Sequence, residues 1–373
     1  MRSIPIYAAL MLAAPVLAAP STQPTTLPST RPAALQPAVI TIHLKDVHPK
    51  LIFNELANQT GANFRPVPAG LWEGKEWPLV SIDLENVSFW TALKQISART
   101  GLYIQRGAVE RNLFIVPEEG PARLWTNCPT SQSGQFLFSL QSLDRVHKSE
   151  FVTGETTRQV NMRVLLFTEP KVKVLRISQQ IKIDQAIDEL GNKLVPAPLP
   201  ETQAMGTSWG WSLIGRVSLP ARVGNTVSKL QGSARLLVQT QSQIAEVPDI
   251  QAANEVERSV AGHKLVIKNV RARGETYTVT MTITRDPNKR GGWGDINLSS
   301  TFRMVDANGL PLSRRNYGGG SNLGDYTELS LSFGREDWNG EGAGLPAKLI
   351  WEVPTEMQQI DVPFTFEDVP LPW

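Results

Sequence analysis

Four histidines, one cysteine and a scatter of carboxylates are the side chains of this 373-residue sequence with the chemistry to ligate metal or attack a substrate. None falls into a working spacing. His43 and His48 stand either side of a strand-to-helix turn, and His147 and His263 are isolated, so no H-x-x-x-H pair or Cys–His set is available to zinc. Cys128 precedes Pro129 with no nearby histidine to lower its pKa, which makes it an inert thiol. No G-x-S-x-G elbow occurs, and Ser133, Ser233 and Ser321 sit in turn or edge contexts. Glu118-Glu119 and Glu336-Asp337 are sequence neighbours that point in different directions, as solvated turn residues do, rather than a pair facing across a sugar. Asp306-Ala-Asn-Gly309 starts like a calcium loop, but Tyr317 stands where the bidentate glutamate belongs, so a hairpin turn is expected. The glycine run Tyr317–Gly324 lacks the Lys-Ser/Thr of a phosphate loop and is expected to be a mobile loop. The expectation is a non-enzymatic chain with no catalytic residues, metal or cofactor.

Recognition is the remaining class of chemistry. The net charge of +2 gives no field to attract nucleic acid. If the last strands form a meander, the loops at 286–294 and 317–324 share one end of it. Lys289, Arg290, Trp293 and Tyr317, with Arg314 and Arg315 on the approaching strand, then form one candidate binding surface for a protein or a glycan. Trp209 and Trp211 alternate with Gly210 and share a strand face, where core filling is the expected role.

The element that must position such surfaces is a repeat. ITIHLKDVHPKLIFNELANQTGANF (Ile40–Phe64) returns as VSIDLENVSFWTALKQISARTGLYI (Val80–Ile104). Ile42/Ile82, Leu44/Leu84, Val47/Val87, Thr60/Thr100 and Gly61/Gly101 coincide without a gap. Each copy alternates at period two, then changes to helical spacing at Ile52, Phe53, Leu56 and at Ala92, Leu93, Ile96. His48-Pro49 and Ser88 mark helix starts, and the glycines mark left-handed stops. Two strand–helix–strand units are predicted, separated by a Pro- and Gly-broken loop (65–79) whose Trp72 and Trp77 either cap the small core or mark a contact surface.

With their L-K-D-V and L-E-N-V strand ends and Q-T-G and R-T-G stops, residues 39–117 resemble the short N-terminal domain shared by bacterial secretins and TonB-dependent transducers. The resemblance implies a two-layer sheet-and-helix module that binds proteins in the periplasm, either neighbouring subunits or a regulator. No plug, membrane barrel or secretin pore follows it; the remainder resembles secreted bacterial β-sandwich proteins.

The flanks agree with export. Residues 1–19 combine Arg2, an apolar core from Ile6 to Leu17 and a small-residue site at Val16-Leu17-Ala18, as a signal peptide does. That core is shorter than the ~20 residues of a membrane span, and no later stretch is apolar enough to cross. Residues 20–38 are a Pro/Ser/Thr-rich linker. A single cysteine leaves stability to packing, which favours a bacterial periplasm or envelope over an animal secretory path.

From Phe136 onward short alternating runs separated by turns predict antiparallel β-sandwiches of Ig-like kind, at 130–248 and 260–373, joined by a helical or irregular connector at 248–260. Asp188-Glu-Leu-Gly191 matches Asp306-Ala-Asn-Gly309, and Ala234–Val238 matches Ala347–Trp351, so the two are expected to be related. The fold class is therefore an α+β front module followed by two β-sandwiches, mainly β. The expected function is protein–protein recognition by an exported envelope protein, with an exposed strand edge or helix face of the front module docking the partner; the alternative is a carbohydrate-binding or carbohydrate-processing protein using loop aromatics.

Overall fold

The computed structural model describes residues 35–73, 76–106, 112–117, 128–205, 210–284, 298–316, 320–323, 326–335 and 343–372. The signal peptide and most of the linker lie outside these residues, as do Trp209, Lys289, Arg290, Trp293 and Tyr317. The chain is mainly β.

Each copy of the repeat forms its strand, helix and strand. β1 (Val39–Val47) leads into α1 (Pro49–Thr60) and β2 (Asn63–Pro66); β3 (Val80–Ser88) leads into α2 (Phe89–Thr100) and β4 (Leu102–Arg106); β5 (Asn112–Pro117) follows. The helices begin at their caps: His48 accepts from the Lys50 N–H and Ser88 Oγ from the Thr91 N–H. They end at Gly61 and Gly101, both at φ 67°, where a Cβ would be strained. Asp46 (φ 51°) and Asn86 (φ 53°) put the same left-handed kink near the end of each first strand, and both are residue types that tolerate it.

The two copies embrace instead of following one another in a single sheet. β1 and β3 pair antiparallel, with Ile42 opposite Leu84 and Leu44 opposite Ile82, reciprocal positions of the repeat. β2 and β4 both flank β5, the first parallel to it and the second antiparallel. So each helix joins strands of two different sheets, which departs from a conventional crossover within one sheet. Burial gives the reason: Ile40, Ile42, Ile82 and Leu84 cover one side of Ile52, Phe53, Leu93 and Ile96, while Leu102, Ile104, Leu113 and Ile115 complete the same core. Trp72 and Trp77 cap its end. Their rings meet at 5.9 Å, Trp72 also touches His48, and the Trp77 indole N–H donates to the Leu71 carbonyl.

The remaining strands are β6 (Thr130–Ser133), β7 (Phe136–Ser149), β8 (Thr156–Thr168), β9 (Lys173–Asp188), β10 (Val195–Pro196), β11 (Gln203–Met205), β12 (Gly210–Ser218) and β13 (Thr226–Pro248). They continue with β14 (Val256–Val260), β15 (His263–Arg273), β16 (Thr276–Thr284), β17 (Phe302–Asp306), β18 (Ser313–Arg314), β19 (Gly320–Leu323), β20 (Tyr326–Gly334) and β21 (Pro346–Pro370).

Two long strands, β13 and β21, pair antiparallel through both β lobes. In the first lobe the order β21-β13-β9-β12-β8-β7-β6 curls back on itself, so its two facing layers belong to one sheet. Ser131 on β6 accepts from the Thr365 N–H of β21, and the Phe138 and Phe364 rings lie 5.1 Å apart across the core. In the second lobe β17 and the other ends of β21 and β13 face a separate sheet, β14-β15-β16-β20-β18, around Trp351, Phe302, Leu265, Val279 and Leu331.

The cores therefore divide the chain differently from the expected 130–248 and 260–373. Val362, Phe364, Phe366 and Val369 belong to the first-lobe core, and Ala245 and Val247 to the second. Both strands run on through the passage without a turn, and in their pairing with each other only a register shift at Gln239–Ser242 marks it. There the half-buried Glu352 carboxylate accepts from Lys173, Gln239 and Ser242. The 248–260 connector is a single 3-10 turn, Ile250–Ala252, followed by β14. Ile250 and Ala253 drop into the second core; Asp249 at φ 47° bounds the turn on its N-terminal side and Ala253, in extended conformation, ends it.

The matched turns of the two lobes are built alike. Asp188 Oδ1 accepts from the Leu190 and Asn192 N–H groups and its Oδ2 from Gly224; Asp306 Oδ1 accepts from Asn308 and Leu310 and its Oδ2 from Gly344. Burial pushes the Asp188 carboxyl up, but these amides and the Asn192 side chain outweigh it and hold it below the usual range. At Asp306 the Gly344 N–H leads the same lowering. Each aspartate staples a D-x-x-G turn to the residues just before a long strand.

Candidate functional site

The surface expected around the last loops loses its premise, because the meander does not form. β17 leaves its sequence neighbours to pair with β21 in the opposite sheet, since Phe302 and Met304 fill the core from that side. Of the six candidate residues, only Arg314 and Arg315 are described. The Arg314 guanidinium donates to the Phe302 carbonyl and lies over the Phe333 ring at 5.7 Å, a brace between the sheets. Arg315 is exposed, its N–H bonded to the Ser332 carbonyl and its guanidinium lying across Gly334. Residues 320–323 of the expected mobile loop pair with β20 as a short hairpin. Trp211 is buried in the first-lobe core.

A site that the residue patterns missed lies on the front module, and the repeat itself locates it. α1 ends beside the outer edge of β1. There Gln59 accepts from the Thr41 N–H (3.0 Å) and donates to the Thr41 carbonyl (2.7 Å), the two bonds that another strand would make. Gln59 also donates to Glu55. Gln59 thus closes this edge at Thr41.

Thr41 points its backbone groups away from β3, so alternation turns those of Ile42 and Leu44 toward it. Across the pair, Leu84 and Ile82 face back, and Ser81 and Asp83 therefore face outward on the opposite edge. At that edge the repeat places Arg99 where the first copy has Gln59, and Gln95 where it has Glu55. A guanidinium has donors only and cannot accept from the Ser81 N–H. Instead of a seal there is an open groove of about 540 Å³, lined by His43, Lys45, Ser81, Asp83, Gln95 and Arg99, with Leu44 and Ile82. His43 Nδ1 and Asp83 Oδ1 lie 2.5 Å apart, both exposed. Neither Lys45 nor Arg99 has an ion-pair partner among the described residues.

The rest of α2 is committed within the chain. Trp90 packs on Phe167 and donates to the Gln135 carbonyl (3.0 Å), while Leu137, Leu165 and Phe167 of the first lobe join the front core. Lys94 donates to Thr130, and Gln132 to Ser88. Burial lowers the Lys94 ammonium pKa. Behind this contact Glu169 is almost fully buried. Its Oε2 accepts from the Ala38 N–H (2.9 Å), the Lys171 ammonium stands 3.8 Å away, and its Oε1 meets no donor among the described residues. Burial pushes this carboxyl up to about 7 against the lowering by Ala38 and Lys171. Leu35 lies in the first-lobe core, so the last linker residues are tied down.

Among the described residues no group of three or more His, Cys, Asp or Glu is placed to hold a metal, and no helix is long and apolar enough to cross a membrane. No family model matches the chain, and no curated protein matches it. A solved structure described as "The crystal structure of the conserved domain protein from Bacillus anthracis" is 11% identical, the match covering 67% of this chain and 95% of that one with a TM-score of 0.20, too low to carry an argument.

Proposed function

We propose that the chain is an exported, non-catalytic bacterial envelope protein whose front module recognises a protein partner by accepting an extended segment along β3. The observation that carries this reading is the inequality of the module's two edges. Gln59 closes the β1 edge at Thr41, whereas the Ser81–Asp83 stretch of β3 opens on a groove. An open edge offers ladder bonds for affinity and neighbouring side chains for selection. The likeness of residues 39–117 to the secretin and TonB-transducer domain, and the signal-like first 19 residues, support the same reading. The β lobes then serve as a rigid mount, because α2 is anchored on them through Trp90.

The test compares envelope extracts passed over the full chain, over Asp83→Pro, which removes an outward N–H and the His43 contact but no β1–β3 ladder bond, and over Asp83→Ala, which removes the His43 contact alone. A partner retained by the parent and by Asp83→Ala and lost from Asp83→Pro is the expected result. Identical recovery by the parent and Asp83→Pro removes the edge from the function.

A further inference from the structure

We infer that the occupant of the β3 groove is an extended protein segment bearing acidic side chains; this deepens the docking reading above and rests on it. The charges of the two copies point there. Around β3 the groove presents Lys45 and Arg99, neither ion-paired among the described residues, together with His43 beside Asp83. The equivalent positions around β1 are Glu85 for Lys45, Gln59 for Arg99 and Glu55 for Gln95; His43 and Asp83, cross-strand partners, map onto each other and are common to both edges. One backbone frame thus carries a closed edge with Glu55 and Glu85 on one side and an open edge with Lys45 and Arg99 on the other, the His43–Asp83 pair lying between them.

The geometry favours a strand as occupant. A segment added beside β3 pairs its backbone with the outward groups of Ser81 and Asp83. Its side chains then alternate between the solvent face, where Lys45 stands, and the side facing Gln95 and Arg99 on α2. Acidic residues of the guest that face α2 would meet Arg99, while those on the solvent face pass beside Ser81 and the His43-bonded Asp83, with Lys45 one strand further on. Exposed charges of this kind set selection and on-rate and weaken with salt.

The experiment measures binding of fluorescent peptides about eight residues long to the full chain by anisotropy. The probes are an alternating Glu/Val peptide, its Lys/Val counterpart, the Glu/Val peptide N-methylated at alternate amides, and polygalacturonate. The Glu/Val peptide should bind about tenfold tighter than Lys/Val and lose affinity as NaCl rises from about 0.05 to 0.5 M. Arg99→Gln supplies the amide that Gln59 provides on the other edge, and should weaken binding about tenfold without lowering thermal stability. Lys45→Glu, on the exposed strand face, should weaken it similarly and guards against a folding effect at Arg99.

Equal binding of Glu/Val and Lys/Val peptides, both lost in Arg99→Gln, overturns the acidic occupant and leaves edge docking standing. Undiminished binding of the N-methylated peptide, with polygalacturonate competing, overturns the strand in favour of an anionic polymer. Absence of binding by every probe, with partner capture from extracts unchanged in Arg99→Gln, overturns both this inference and the docking reading.

Discussion

The two copies of the front module solve the same backbone problem and then part company. Both place a left-handed Asx residue near the end of the first strand, cap the next helix with a side chain, and stop it at a glycine at φ 67°. Even the fine bonds recur: Asp46 N–H donates to Ser81 as Asn86 N–H does to Thr41, and Thr60 and Thr100 each donate back to the carbonyl four residues earlier. Yet Lys50 is exposed where Trp90 is buried against the β lobe, and Gln59 seals an edge where Arg99 leaves one open. A repeated frame fixes where side chains stand; single substitutions on it decide which copy anchors the module and which edge stays available.

The anchor is the largest difference to break. Trp90→Ala should cost about 3–5 kcal/mol in chemical denaturation, whereas Lys50→Ala, its equivalent in the first copy, should stay within about 0.5 kcal/mol. Equal costs would mean that α2 is no more anchored than α1.

A second asymmetry lies in how each copy begins. Ala38 gives its N–H to Glu169, while the equivalent residue before the second copy is Pro78, which has none. The folded state holds Glu169 protonated up to about pH 7, above its ordinary 4.5. Its effect on stability is therefore most favourable below pH 4.5, declines as pH rises from 4.5 to 7, and settles at a penalty of about 3 kcal/mol above that. Glu169→Gln should flatten this decline and raise stability at pH 8 by about 1–3 kcal/mol, read from urea midpoints across pH. An unchanged slope between pH 5 and 8 would show that the carboxylate is solvated.

Smaller effects sharpen the likeness. Gly61→Ala and Gly101→Ala should each cost about 1–2 kcal/mol, because the penalty lies in the positive φ the copies share. Markedly unequal melting shifts would end the equivalence. Smallest of all, Gln59→Ala should cost about 0.5–1 kcal/mol and Arg99→Gln gain a similar amount, since one opens an edge and the other closes one; hydrogen exchange of the Thr41 and Ser81 amides reads each directly.

Whatever is specified within a few residues of chain was legible in the sequence. Alternation at Ile40–Leu44 and Val80–Leu84 gave strands, Pro49 and Ser88 gave helix starts, Gly61 and Gly101 gave stops, and the matched D-x-x-G turns gave hairpins. These are local because capping and turn chemistry act between residues at most four or five apart. The bonds that Asp188 accepts from Gly224 and Asp306 from Gly344 are long-range and were not legible. The acid–base residues fall into no catalytic or metal spacing, and of the histidines only His43 reaches the groove. The Arg314–Arg315 surface rested on an assumed strand order, and alternation names a strand's buried face without naming its neighbour.

Strand pairing over long range was decided by the tertiary structure alone. β17 crosses to the opposite sheet, β13 and β21 each serve two cores, and α2 docks on β7 and β8, because the apolar area buried in those places outweighs the cost of closing long loops. The open edge belongs to the same class. Gln59 and Arg99 are visible in the sequence as two polar helix residues, and only the antiparallel pairing of β1 with β3 turns one into a seal and the other into a gap.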